Sequence, residues 1–175
     1  MQKILDAMDK GTRVGQIHEA ARRLKAAGIR VGFFLQFGYP GETRQDIEKT
    51  IQLVRDCDPD DIGISVSYPM PGTKFYDAVR EQLGEKRNWQ DSQDLAMLYQ
   101  GPFSTEFYRK LHGVVHKEFR ARKAWKSLKN LRDVGRLGYN LLTLPIARFQ
   151  LNRLASTHSG MLTLPHMSHE AAATP

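Results

Sequence analysis

Two short turns hold most of the residues able to meet a ligand. Gly38-Tyr39-Pro40-Gly41-Glu42-Thr43 and Tyr68-Pro69-Met70-Pro71-Gly72-Thr73 each interrupt an apolar run. Gly38 and Gly41 admit positive φ and close main-chain approach, and Pro40 fixes the loop between them. Such corners can offer backbone donors and acceptors to a flat heterocycle. They also fit a plainer reading, since Gly and Pro punctuate most turns between strands and helices.

Other polar groups are weaker signals. Gln36 is the one polar residue in an otherwise apolar run, and an amide buried without partners is costly. A polar cavity would accommodate it, and so would bonds to neighbouring backbone. Glu42 lies just before a helix start, where a carboxylate complements the helix dipole, with a role as base secondary. His112 and His116 are four apart on an expected helix and could share a metal. With no third ligand type nearby, they read as solvent-facing. Cys57, the only cysteine, reads as a small core residue at a helix end. One cysteine excludes an internal disulfide and a thiolate cage, and it suits a reducing cytoplasm.

The elements that position these groups alternate. Thr12 is expected to cap a helix with Val14, Ile17, Ala21 and Leu24 inward, ended by Gly28. Ile29 to Phe37 reads as a strand buried on both faces. Thr43 and Asp46 form a capping box for a second helix with Ile47, Ile51 and Val54 inward, and Asp58-Pro59-Asp60 closes it. Ile62 to Ser67 alternates apolar and small residues as a second strand. Its Ile62, Ile64 and Val66 should face helices, and Ser65 and Ser67 should turn inward. The order implies right-handed βαβ units and a parallel sheet, whose ligands gather where strands end.

Farther on, a short helix (Phe75, Val79, Leu83) precedes an irregular polar stretch around Trp89. Ser104 then caps a long helix carrying Phe107, Leu111, Val114, Val115 and Phe119, and a last apolar stretch, 137–154, is interrupted by Pro145. The formal net charge of +7 is uneven. Residues 1–103 hold 14 Lys/Arg against 15 Asp/Glu, whereas 104–175 hold 12 against 4. The basic part suits an anionic partner, a phospholipid surface or an acidic domain. A helix lying in a membrane interface over 117–154 and packing on another part of a parent protein both fit. Nucleic acid is disfavoured, because aromatic residues do not interleave with the charges. No apolar run is long enough to span a bilayer.

In their order and spacing, Met8-Asp9-Lys10-Gly11-Thr12, the Gly38 turn and the Tyr68 turn resemble the second half of the radical S-adenosylmethionine barrel. More narrowly, they are similar to its cobalamin-dependent class, which includes anaerobic magnesium-protoporphyrin ester cyclases and methyltransferases. The resemblance covers residues 1–125 approximately. It implies an α/β fold, the C-terminal portion of a partial (β/α)6 TIM-like barrel with two to three parallel strands, followed by a helical basic extension. The implied segments are 1–85 for the barrel, 86–135 for a packing extension, 136–155 for an amphipathic helix and 156–175 for a tail.

By the same resemblance, Phe37, Gly38, Tyr39 and Pro40 would meet one edge of the adenine of S-adenosylmethionine, and Tyr68 and Pro69 the other. Gln36, Ser65 and Ser67 would face a small-molecule substrate. The family's cluster is held by three cysteines spaced Cys-x3-Cys-x2-Cys, which this sequence lacks. Reductive cleavage of S-adenosylmethionine at a [4Fe-4S] cluster, with cobalamin or without it, is therefore expected of a longer parent. This chain would supply adenine contacts, bind no metal and be inactive alone. The competing expectation is a non-catalytic α/β remnant that holds a membrane or protein through its basic helices.

Overall fold

The structure, a computed structural model, describes residues 1–83, 95–126 and 131–156, without the side chains of 131–133 and 136. The stretch around Trp89 and the tail beyond Ser156 lie outside the described residues.

The element order is α1 (Gln2–Ala7), α2 (Val14–Ala26), β1 (Gly32–Phe37), α3 (Arg44–Cys57), β2 (Asp61–Val66), α4 (Lys74–Val79), α5 (Thr105–Lys126) and α6 (Leu131–Ser156). A single 3-10 turn, Arg80–Gln82, follows α4. β1 and β2 pair in parallel, with Phe33 opposite Ile62, Leu35 opposite Ile64 and Phe37 opposite Val66. The chain is thus mixed α/β with a two-stranded parallel sheet and a helical C-terminal part, as expected. Both Gly/Pro corners follow the C-terminal ends of adjacent parallel strands.

Local chemistry explains where the elements begin and end. At α3 the Thr43 hydroxyl accepts from Asp46 N–H at 3.3 Å, while the Asp46 carboxylate accepts from Thr43 N–H at 3.0 Å. Two N–H groups that would otherwise lack partners are satisfied this way. The helix stops at Asp58, which takes a left-handed conformation. Ser104 and Thr73 cap α5 and α4 through their hydroxyls, accepting from Phe107 N–H at 3.2 Å and Tyr76 N–H at 3.1 Å.

Four local expectations are corrected. Thr12 does not cap α2; Arg13 occupies the cap, and the side chains of Gln16 and Gln2 accept the Arg13 and Val14 N–H groups at 2.7 and 3.0 Å. Leu24 on that helix is exposed rather than inward. Strand β1 begins at Gly32, not Ile29, because the Ile29 N–H closes the end of α2 on Leu24 O at 2.9 Å. Pro145 lies inside α6 and does not end it. A proline costs one helical hydrogen bond, a loss that packing on α5 offsets.

One main core joins the sheet to the helices. Leu35, Phe37, Ile62 and Val66 meet Ile47, Ile51 and Val54 of α3, Phe107, Leu111, Val114 and Val115 of α5, and Ala147 and Leu151 of α6. A smaller cluster of Ala21, Val31, Leu53 and Cys57 fills the seam between α2 and α3. All the covering helices of the main core sit on one side of the sheet. The other side is open, so β1 is not buried on both faces: Phe34 is 88% exposed and Gln36 is exposed too. Glu118 of α5 ties the outer layers together. It accepts from Arg55 Nε of α3 at 2.5 Å and from Arg148 of α6.

Candidate functional site

The first corner is built around the peptide groups of Gly38. Its N–H donates to Glu42 Oε2 at 2.7 Å, and its carbonyl accepts from the Tyr99 hydroxyl. Gly38 has φ +81°, and a Cβ there would stand 3.1 Å from Met97 Sδ and 3.3 Å from the Tyr108 ring. Only glycine fits both the conformation and the space. Glu42 is buried. Burial away from water pushes its carboxyl up to about 8, against the pull of the Gly38 N–H bond and with a further push from Asp46. The residue expected to serve the helix dipole instead closes the corner on itself.

Aromatic rings link this corner to the second. Tyr39 lies 5.0 Å from Phe75, and Phe75 lies 5.2 Å from Tyr99 edge-on. The Tyr39 hydroxyl also donates to Ala7 O at 2.8 Å, fastening α1 to the corner. Burial raises the phenol pKa of both Tyr39 and Tyr99, keeping them hydroxyl donors at neutral pH. In the second corner the Ser67 N–H donates to Phe37 O at 2.7 Å, extending the sheet by one bond. The Ser67 hydroxyl is buried without a hydrogen-bond partner among the described residues.

The expected adenine contacts therefore stand in different states. Tyr39, Pro40 and Tyr68 are half-buried at the rim. The Phe37 ring and Pro69 are buried, and both peptide groups of Gly38 are already bonded. On the open face, Gln36 is exposed and sits opposite the half-buried Ser65, with Phe34 opposite Gly63 beside them. The Phe34 ring leans over Gly63, 3.1 Å from where a Cβ would be. The fold brings Gln36 and Ser65 side by side, and it puts Ser67 in the corner itself.

Tyr99 and Glu118 were not singled out from the sequence. Tyr99 falls in an irregular segment whose residues show no period. Glu118 is one of few acids in a cationic stretch, and in the fold it bridges two cations. Among the described residues no group of three His, Cys, Asp or Glu could hold a metal. The His112 and His116 rings, both half-buried, are tilted at 56° with centroids 4.4 Å apart. Cys57 is buried, its Sγ 3.4 Å from His18 Nδ1, which fits a packing role. No described helix is long and apolar enough to cross a membrane.

No family model matches the chain. It is 32% identical over 89 residues to an uncharacterised methyltransferase of Pyrococcus horikoshii, covering 50% of this chain and 19% of that protein. It is 35% identical over 82 residues to a tRNA-2-methylthio-N(6)-dimethylallyladenosine synthase of Aromatoleum aromaticum, covering 43% and 17%. With the human threonylcarbamoyladenosine tRNA methylthiotransferase it shares 33% identity over 75 residues, covering 43% and 13%. The chain thus spans less than a fifth of the length of these relatives, and the similarity is to enzymes named for methyl or methylthio transfer. None of the three is named a cyclase, so the narrower resemblance to the cobalamin-dependent class rests on the motifs alone.

Proposed function

We propose that this chain forms the C-terminal share of a radical S-adenosylmethionine barrel in an enzyme of the methyl- or methylthio-transferring kind. The observation that carries the reading is the pair of Gly/Pro corners at the same end of two adjacent parallel strands, beside a sheet face left open. Ligands of parallel α/β folds bind at that end.

In this reading the rim residues Tyr39, Pro40 and Tyr68 hold adenine by apolar contact, and the unpartnered Ser67 hydroxyl supplies the hydrogen bond that the Gly38 peptide cannot. Gln36 and Ser65 present an amide and a hydroxyl to the polar part of a substrate, and the Phe34 ring offers it a flat apolar wall. S-adenosylmethionine supplies the group-transfer or one-electron cleavage chemistry when bound. The donor set of this chain does not fit an iron–sulfur cluster, since its only thiol is buried at a helix end. Residues outside the chain must hold it, and the reading invokes no cobalamin.

Titration of the isotopically labelled chain with S-adenosylhomocysteine, an unreactive analogue, tests this by amide chemical shifts. Shifts should gather at the amides of residues 37–39 and 65–68, and Ser67→Ala should weaken binding about fivefold, the value of one neutral hydrogen bond. Shifts that avoid both corners would sink the proposal.

A further inference from the structure

The outward side of α6 carries Tyr139, Leu142, Ile146 and Phe149 at helical spacing, which sets them in one stripe. All four are exposed, Leu142 at 78%. The inward side buries Leu137, Asn140, Ala147 and Leu151. From Val134 to Ser156 the sequence has three arginines and no acid.

Cations flank the stripe on both sides. Lys117 of α5 stands 5.6 Å from the Tyr139 ring centroid and donates to Thr143 Oγ1 at 3.3 Å. On the other side lies Arg148, which Glu118 holds, and beyond it a groove of about 550 Å³ lined by Leu141, Leu144, Trp125, Arg122 and Lys126, with Glu118 the one acid in its wall. The nearest carboxylates are already engaged: Glu118 lies between Arg55 and Arg148, and Asp58 pairs with Lys126 at 2.7 Å. Trp125 and Tyr139 are both more than half exposed, and such rings favour a boundary between water and hydrocarbon.

We propose that this stripe lies in the interface of an anionic phospholipid bilayer, with α6 parallel to the surface and the flanking cations at the headgroup phosphates. An apolar stripe edged by cations and free of acid complements such a surface. A neutral protein groove would complement the apolar part alone. The layering points the same way. α6 rests on α3 and α5, which rest on the sheet, so the stripe faces away from the open sheet face and from both corners. This inference stands on the α6 surface and does not depend on the adenine reading.

The test is co-sedimentation of the full chain with phosphatidylcholine vesicles, with and without about 30% phosphatidylglycerol, the anionic component the cations require. The anionic vesicles should take up the chain and the neutral ones should not, and salt at about 0.5 M should release most of it. The triple variant Leu142→Asp, Ile146→Asp and Phe149→Asp should cut partitioning about tenfold or more with its circular dichroism unchanged. Lys117→Glu with Arg153→Glu should lower it too, with Leu142, Ile146 and Phe149 unchanged. Equal uptake by neutral vesicles, no uptake by either, or a stable dimer abolished by the triple variant would each overturn the proposal.

Discussion

Glu42→Gln should stabilise the protein at neutral pH and remove most of the pH dependence of its stability between pH 5 and 8. Burial is the main reason that the Glu42 carboxyl is pushed up to about 8 from an ordinary 4.5. The folded chain therefore binds that proton more tightly than the unfolded chain does. Its contribution is complete below about pH 4.5 and declines as the pH rises toward 8. At about 1.4 kcal/mol per unit, roughly 3 kcal/mol is lost between pH 4.5 and 7. The glutamine keeps an acceptor for the Gly38 N–H and carries no charge. Its extra amide donor costs about 1 kcal/mol, which leaves a gain near 2 kcal/mol at pH 7 and a small loss at pH 5.

Urea unfolding followed by circular dichroism at pH 5, 6, 7 and 8, at fixed ionic strength, measures this directly. His116, pushed down by burial and by His112, contributes with the opposite sign. It is common to both proteins, so the difference between them isolates Glu42. Asp46 lies below the usual carboxylate range: its bonds from the chain's terminal amine, Thr43 and Lys3 outweigh the opposing effect of burial, and its contribution is lost only as the pH falls toward strong acid. Parallel stability curves for wild type and Glu42→Gln across pH 5–8 would refute a buried, neutral Glu42.

Three further outcomes are expected. Tyr99→Phe removes the hydroxyl that serves the Gly38 carbonyl and should cost about 1–2 kcal/mol, with faster amide exchange confined to residues 37–43. Gly38→Ala meets both a positive φ and the Met97 thioether at 3.1 Å, so a loss of about 2 kcal/mol or more in urea unfolding is expected. Glu118→Ala takes the carboxylate from Arg148 and leaves Arg55 with Glu48, and should cost about 2 kcal/mol, below the value for a fully buried pair because Arg148 is 38% exposed.

The parallel sheet and both corners were legible because turn chemistry and alternation are local. Thr43 with Asp46 marks a helix start whatever surrounds it, and Ile62, Ile64 and Val66 declare one face of a strand. The extent of β1 was not legible, because a nine-residue run whose only polar members are Arg30 and Gln36 looks the same whether one face is covered or two. Ile29 went astray since its N–H is spent on the preceding helix, a bond that composition does not announce. At the corner, Gly38 and Pro40 were visible as a motif. The closure of Gly38 by Glu42 on one side and Tyr99 on the other depends on segments 61 residues apart, which no local pattern encodes. Pro145 misled for a related reason: tertiary packing carries α6 through a residue that an isolated helix would not tolerate.

The bridge at Glu118 has a consequence for how the molecule comes apart. Buried Leu137, Ala147 and Leu151 and half-buried Leu144, Leu154 and Ala155 hold α6 down, and a single carboxylate shared by two guanidinium groups supplements them. Despite burial, the two guanidinium groups hold the Glu118 carboxyl below its ordinary range, and a partly buried pair is little screened by salt, so only acid below that range breaks the bridge. The last helix then detaches as a unit of its own, a subglobal opening that leaves both corners assembled.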